Sequence, residues 1–167
     1  MTDVADEHRV CVRDATAADA HAIAALLVAA FAEFEPRYTP AGYRATTPSA
    51  DEIRHRLING PAWVGERDGT IVGTVSALST PTGVYIRSMA VDPRSRGGGI
   101  GQALLSQVER FATGLGARRL FLSTTPFLAG AIRMYDRAGF RVTAEGPHEL
   151  GGTPLMTMVK PLGDAPS

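Results

Sequence analysis

A cluster of glycines carries the first chemical signal in this chain. Residues 91–105 read Val91-Asp92-Pro93-Arg94-Ser95-Arg96-Gly97-Gly98-Gly99-Ile100-Gly101-Gln102-Ala103-Leu104-Leu105. An apolar run ends at Val91, Pro93 stops it, and the glycines lead straight into an amphipathic helix. Glycine lacks a β-carbon, so its N–H can approach a ligand closely and its backbone can adopt angles that other residues avoid. At a helix N-terminus several unpaired N–H groups and the positive end of the helix dipole converge on one spot. That spot favours an anion, and a phosphate ester is the usual biological one. Arg96, with Arg94 beside it, can add charge-assisted hydrogen bonds. Two common owners of such loops fail on their letters. A Walker-type loop ends in Gly-Lys-Ser/Thr, whereas Gly101 is followed by Gln102 and Ala103. A dinucleotide-binding Gly-x-Gly-x-x-Gly frame started at Gly97 ends on Gln102, and one started at Gly99 ends on Leu104.

A third pattern fits at every fixed position. Arg96-Gly97-Gly98-Gly99-Ile100-Gly101, after a strand closing in Val-x-Pro, resembles the acyl-coenzyme-A-binding motif Arg/Gln-x-x-Gly-x-Gly/Ala of the GNAT superfamily of N-acyltransferases. Further on, Ala131-Ile132-Arg133-Met134-Tyr135-Asp136-Arg137-Ala138-Gly139-Phe140 resembles that family's second signature, Ala-x-x-x-Tyr-x-x-x-Gly-Phe. The resemblance spans residues 9–160, and it implies a single N-acetyltransferase domain there, with tails at 1–8 and 161–167. It implies an α/β fold with a mixed, mostly antiparallel central sheet flanked by about four helices. The strands at 84–91 and 119–123 would run parallel and splay apart around the pantetheine arm of acetyl-CoA. By resemblance, the backbone of Gly97, Gly98, Gly99, Ile100, Gly101 and Gln102, with Arg96, holds the pyrophosphate. Met89, Ala90 and Val91 pair with the pantetheine amides, and an amide near Met89 polarises the thioester carbonyl. Tyr135 matches the tyrosine that protonates the departing thiolate. A free phenol (pKa ≈ 10) is protonated at neutral pH and can donate to a thiolate whose thiol pKa is ~8.5.

The implied reaction is transfer of acetyl from acetyl-CoA to a primary amine by direct attack in a ternary complex. The alternative is a coenzyme-A-binding sensor or interaction module with little or no catalysis, kept open by one departure from the family pattern. Many relatives carry a Glu as general base on the strand before the glycine loop, and here Tyr85 occupies that place. A second departure puts Leu128 where the family often has a cofactor-contacting Asn, leaving Thr124 or Thr125 to replace it. Glu33, Glu35 and Tyr38, which follow the first helix, join Tyr85 as acceptor-site candidates. Glu33 and Glu35 would suit a cationic amine; Arg37, Arg44 and His148 would suit a carboxylate; a protein N-terminus or lysine is a third possibility. Many relatives dimerise, so a homodimer is compatible with the resemblance.

The rest of the sequence must position these residues. With 167 residues the chain is sized for one domain, and 44% hydrophobic with 20% charged residues is an ordinary globular balance. Acidic and basic residues number 17 each, so no global field argues for nucleic acid or a membrane surface as partner. All the basic residues but Lys160 are arginine. The single cysteine, Cys11, reads as a small buried apolar side chain in a strand, and the scattered histidines suggest no metal site. The acidic N-terminus lacks an apolar signal core, and the longest apolar run, 22–32, falls short of the ~20 residues that span a bilayer, so a reducing cytoplasm is the simplest location. Periodicity predicts strands at 9–14, 62–66, 70–78, 84–91, 119–123, 140–144 and 155–159, with a tight hairpin at Asp68-Gly69. Helices are expected from Thr16 to about Glu35, over 49–59 behind a Ser49–Glu52 capping box, over 100–115, and over 127–138 up to Gly139. Residues 36–48 read as a loop.

Overall fold

The computed structural model describes residues 10–163 of the chain. Seven strands form one sheet in the order β1-β2-β3-β4-β5-β9-β6. They are β1 (Cys11–Asp14), β2 (Ala62–Arg67), β3 (Thr70–Thr80), β4 (Gly83–Val91), β5 (Arg119–Thr124), β6 (Arg141–Thr143) and β9 (Met156–Pro161). Every neighbouring pair is antiparallel except β4 and β5, which run parallel. The expected mixed, mostly antiparallel α/β architecture is therefore present. The Asp68-Gly69 turn joins β2 to β3 with both residues at positive φ (53° and 75°), the geometry a two-residue hairpin requires.

Two layers cover the sheet. On one face, α4 (Ile100–Gly114) lays Ile100, Leu104, Leu105, Val108 and Ala112 against Trp63, Val75, Ile86, Leu120 and Leu122; Tyr135 of α5 (Ala129–Arg137) and Phe140 close that core. Each such large apolar side chain contributes roughly 1.5–3 kcal/mol on burial. On the opposite face, α1 (Ala20–Phe31) sets Ile23, Leu27 and Ala30 against Val64 and Ala90, with Ile53 of α3 (Ala50–Asn59) beside them. The Ser49–Glu52 capping box starts α3 as expected: the Glu52 N–H donates to Ser49 Oγ (3.2 Å) and the Ser49 N–H to Glu52 Oε1 (3.4 Å).

Several expectations need correction. Residues 36–48 are not all loop: Ala32–Arg37 continues α1 as a 3-10 helix, and α2 (Pro40–Thr46) follows, capped by Thr39, whose Oγ1 accepts from the Gly42 N–H (3.0 Å). The described residues therefore hold five α-helices, against about four expected. The reason is long-range. Thr39 Oγ1 also donates to the Gly151 carbonyl (2.6 Å) and its N–H donates to Thr153 Oγ1 (3.0 Å), tying α2 to a small hairpin, β7 (Glu149–Leu150) and β8 (Thr153–Pro154). Cys11 is exposed, not buried, because it sits on the outer strand of the sheet. Pro161 and Leu162, expected in a tail, are held: Pro161 ends β9 and the Leu162 N–H donates to the Arg118 carbonyl (2.8 Å). Residues 1–9 and 164–167, including Arg9 of the expected first strand, lie outside the described residues. The helical run Ala17–Arg37 covers 21 residues, longer than the apolar run within it, and by length and composition could cross a membrane. Here its Ala20, Ile23, Leu26, Leu27 and Ala30 are buried.

Candidate active site

The site begins where β4 and β5 part. They pair only over Val84–Leu120, Tyr85–Phe121 and Ile86–Leu122. Beyond Ile86 the β5-facing edge of β4 has no partner strand, so its backbone groups can receive an extended ligand as an added strand would. A bulge accentuates the divergence. In the β3–β4 ladder Ser76 faces Arg87 and Thr74 faces Ala90, so Ser88 and Met89 together oppose Val75. Ser88 adopts φ 53°, a left-handed conformation costly for a residue with a β-carbon. The bulge turns Met89 toward the α4 core while Ala90 packs toward α1, and Val91 lies half-buried at the end of the strand.

The chain then crosses to the glycine loop. Asp92 accepts from the Arg94 N–H (2.9 Å), fixing a short 3-10 turn, Pro93–Ser95. Gly97 (φ 85°) and Gly99 (φ 80°) are left-handed, and a β-carbon at either would meet nothing within 4 Å. Backbone conformation, not crowding, requires glycine at these two positions, and the space beside them is open to a ligand. Gly101 differs: a β-carbon there would strike Met134 Sδ, so its role is close packing of α4 against α5. The buried Ile100 side chain pins the start of α4, leaving the N–H groups of Ile100, Gly101 and Gln102 without carbonyls one turn earlier in the helix.

The arginines divide. Arg94 is mostly exposed and paired with its neighbour Asp92 (3.4 Å), whose carboxyl is held below the usual range chiefly by the Arg94 backbone N–H. Arg96 reaches across to the end of α1: Nη1 donates to Glu33 Oε1 (2.7 Å) and Nη2 to the Ala30 carbonyl (3.3 Å). The residue expected at the phosphates and a residue expected at the acceptor thus form one ion pair. Arg67, which sequence reasoning passed over, lies against the loop; a β-carbon on Gly98 would come 2.5 Å from its Nη2, and its Nε is buried without a hydrogen-bond partner. Its signal was weak, because Arg67 is far from the loop in sequence and arrives there only through the β2–β3 pairing.

Tyr135 is 6% exposed, with its ring edge-on to Phe140 (centroids 5.7 Å). Burial pushes its phenol well above the ordinary value, with the nearby Tyr85 adding to the rise. The hydroxyl is therefore protonated throughout the neutral range. Tyr85 packs against Phe121 across the parallel pair with the rings tilted by 45° (centroids 5.2 Å). Tyr38 is buried among Phe31, Tyr43 and Phe127, edge-on to the last at 4.9 Å. Burial raises its phenol, with Thr125 as the opposing neighbour. Thr125 Oγ1, one residue past β5, is buried with the Tyr38 hydroxyl as its neighbour. Arg67 Nε and the open space at Gly97 and Gly99 offer polar capacity that a long phosphorylated amide ligand would use. Glu35 is exposed. Arg37 lies over the Phe127 ring (5.3 Å), and Arg44 and His148 are exposed. Leu128 ends the turn before α5, its N–H donating to the Thr125 carbonyl (3.2 Å).

Comparison with known proteins agrees with this geometry. Residues 23–140 match the acetyltransferase (GNAT) family. An IAA acetyltransferase from Azospirillum brasilense is 37% identical over 103 residues, covering 59% of this chain and 66% of that protein. The chain spans two-thirds or less of the length of the first curated relatives it matches. The crystal structure of the PaiA N-acetyltransferase of Thermoplasma acidophilum in complex with coenzyme A superposes with a TM-score of 0.79 at 13% identity, over 92% of this chain and 99% of that one. The putative acetyltransferase YncA of Salmonella typhimurium, solved with its cofactor acetyl-CoA, gives 0.71 at 24% identity, over 95% and 96%. With the splayed parallel strands, the glycine loop and the buried tyrosine in the arrangement its signatures imply, the chain belongs to the GNAT acetyltransferase family.

Proposed function

We propose that the protein is an N-acetyltransferase that moves the acetyl group of acetyl-CoA to a primary amine by direct attack in a ternary complex. The observation that carries this reading is the parting of β4 from β5 beside the α4 N-terminus, with Tyr135 buried near Tyr85, which lies on the last stretch of that parallel pairing. Gly97 to Gln102, with Arg67 and Arg96, would hold the pyrophosphate, and the free edge of β4 from Met89 would pair with the pantetheine amides.

The coenzyme supplies a thioester, whose carbonyl carbon accepts the amine lone pair while the carbon–sulfur bond breaks. A backbone N–H near the Ser88–Met89 bulge would donate to the carbonyl oxygen as negative charge develops there. Tyr135 gives its phenolic proton to the departing sulfur. Its raised pKa weakens the drive for this transfer, but the same dry surroundings disfavour the thiolate and raise the pKa of its thiol as well. The nitrogen loses its surplus proton to water, and a proton returned from solvent restores the Tyr135 phenol. This reading predicts acceptor-dependent thiol release across a panel of amines. Tight coenzyme A binding with no thiol release from any amine would instead support the sensor or interaction module.

The cytoplasmic location and a homodimer are part of the same proposal. The balanced charge and the single cysteine support the location, and the family resemblance supports the dimer.

A further inference from the structure

The face of the sheet covered by α1 and α3, beside the opening, holds two arginines that no part of the reading above uses. Arg87 stands on β4 one residue before the bulge, opposite Ser76, on the face turned toward α1 and α3. Its Nε is buried and has no hydrogen-bond partner. Arg56 comes down from α3 and donates through Nη1 to Ser88 Oγ (3.1 Å). Both line a recess between the two helices and the sheet, together with Ile23, Thr74, Ser76 and Ser88. Several other partly buried cations meet a carboxylate: Arg13 meets Asp19 and Glu66, Arg119 meets Glu145, and Lys160 meets Glu109. Among the described residues Arg56 and Arg87 meet none at ion-pair distance, and they face each other closely enough for Arg87 to disfavour the charge on Arg56.

A half-buried guanidinium facing another cation is unfavourable unless an anion joins them. Burial and Arg87 both lower the Arg56 pKa, and Glu52 and Tyr85 only partly offset them. An anion between the two forks would satisfy the orphaned Nε and remove the repulsion, and a planar carboxylate matches guanidinium geometry best. The location ties this pair to the reaction. Tyr85, two residues before Arg87, lies within electrostatic reach of both Arg56 and Tyr135. An anion at Arg56 and Arg87 would therefore sit beside the opening where the thioester is attacked.

We propose that Arg56 and Arg87 bind a carboxylate of the acceptor, so that the amine substrate is amino-acid-like, carrying both an amine and a carboxylate. This rests on the acetyltransferase reading and names the substrate class of that site. In this proposal Arg56 and Arg87 take the carboxylate role for which Arg37, Arg44 and His148 are the alternative.

The test uses the full chain with the proteinogenic L-amino acids and their α-carboxamides as probes. Thiol release with acetyl-CoA is measured alongside calorimetric binding of the same probes to the coenzyme A complex. The expected result is at least one amino acid turned over with kcat/KM at least 100-fold above its amide. Arg87→Gln should raise KM for that acceptor 10-fold or more and abolish the preference over the amide. Arg56→Lys, which keeps the charge but loses the fork, should raise KM less. Unchanged coenzyme A affinity in both variants checks their folding. Carboxylate-selective binding that Arg87→Gln removes, with no thiol release from any amine, would sustain the carboxylate site while refuting the acetyltransferase reading. Equal turnover of acids and amides, no binding by any carboxylate probe, or an unchanged KM in Arg87→Gln would overturn the proposal.

Discussion

Replacing Glu33 by glutamine should tighten coenzyme A binding. In the fold Arg96 is engaged by Glu33 Oε1 at 2.7 Å and by the Ala30 carbonyl at 3.3 Å. A pyrophosphate at the glycine loop must compete with that carboxylate for the guanidinium. Both side chains are about half exposed, 46% for Arg96 and 52% for Glu33, so the pair belongs with solvent-screened ion pairs worth ~0.2–1 kcal/mol. Removing the competitor while leaving Ala30 in place should lower the coenzyme A Kd by roughly 1.4- to 5-fold, since ~1.4 kcal/mol corresponds to tenfold. The gain should shrink as salt rises, because screening weakens the competing pair. Arg96→Gln should go the other way, losing a charge-assisted bond of ~1.5–3 kcal/mol, about 10- to 150-fold in Kd. Isothermal titration calorimetry at two ionic strengths measures all three quantities. A weaker Kd in Glu33→Gln, or an unchanged Kd in Arg96→Gln, would refute the placement of the phosphates at Arg96. If Glu33 also greets the amine once Arg96 turns to phosphate, kcat/KM for the acceptor should fall in the variant whose coenzyme binding improves.

Three further outcomes follow from the geometry. Tyr135→Phe should lower kcat by roughly 10²–10⁴-fold, the usual contribution of a positioned proton donor, with coenzyme A affinity nearly unchanged. Because burial raises the Tyr135 pKa, its protonated, active form persists upward in pH, so the wild-type kcat profile should show no descending limb from this group up to about pH 10. A descending limb below that, lost in Tyr135→Phe, would contradict the burial argument. Gly99→Ala forces a β-carbon into a backbone with φ 80°, costing ~1–2 kcal/mol without any clash; thermal melting should show that loss and calorimetry a weakened coenzyme A Kd, while an unchanged Kd would speak against the cradle. Asp19, bound by Arg13, has a carboxyl pKa lowered from 3.8 to about 2. A depressed folded-state pKa stabilises above the unfolded value and is lost as pH falls through the folded one. The pair should thus contribute about 1–2 kcal/mol near neutrality, discounted for the exposure of Arg13, and lose it between about pH 4 and pH 2. Urea unfolding of Asp19→Asn should show a deficit at pH 7 that vanishes near pH 2.

The elements that contact each other locally were legible in the sequence. Ser49–Glu52, Asp68-Gly69, the α4 stripe and Gly139 each carry a short-range signal, and the fold places them as their chemistry demands. What the sequence hid depends on residues far apart in the chain. The α2 helix has a proline start and a threonine cap, but Gly42 and Thr46 are poor helix formers. It is held by Thr153 and Gly151, more than a hundred positions away. Alternation at 9–14 suggests an edge or half-buried strand, but not which of its side chains the helices will cover, and Cys11 is left exposed. At the site, the glycine loop and Tyr135 were visible as motifs. Arg67, Arg56 and Arg87 were not, because each looks like any surface arginine until strand pairing and the α3 helix bring it inward.

The central claim is that the opening between β4 and β5 delivers acetyl from acetyl-CoA directly to an amine. The most direct measurement follows carbon-13-labelled acetyl from acetyl-CoA in the presence of the amine panel, by mass spectrometry of both small molecules and protein. The account predicts label on an amine nitrogen in one-to-one ratio with released thiol, none on the protein at any time, and a rate that collapses in Tyr135→Phe. Thiol release without an N-acetylated acceptor, or label carried on the protein before the amine is added, would contradict it.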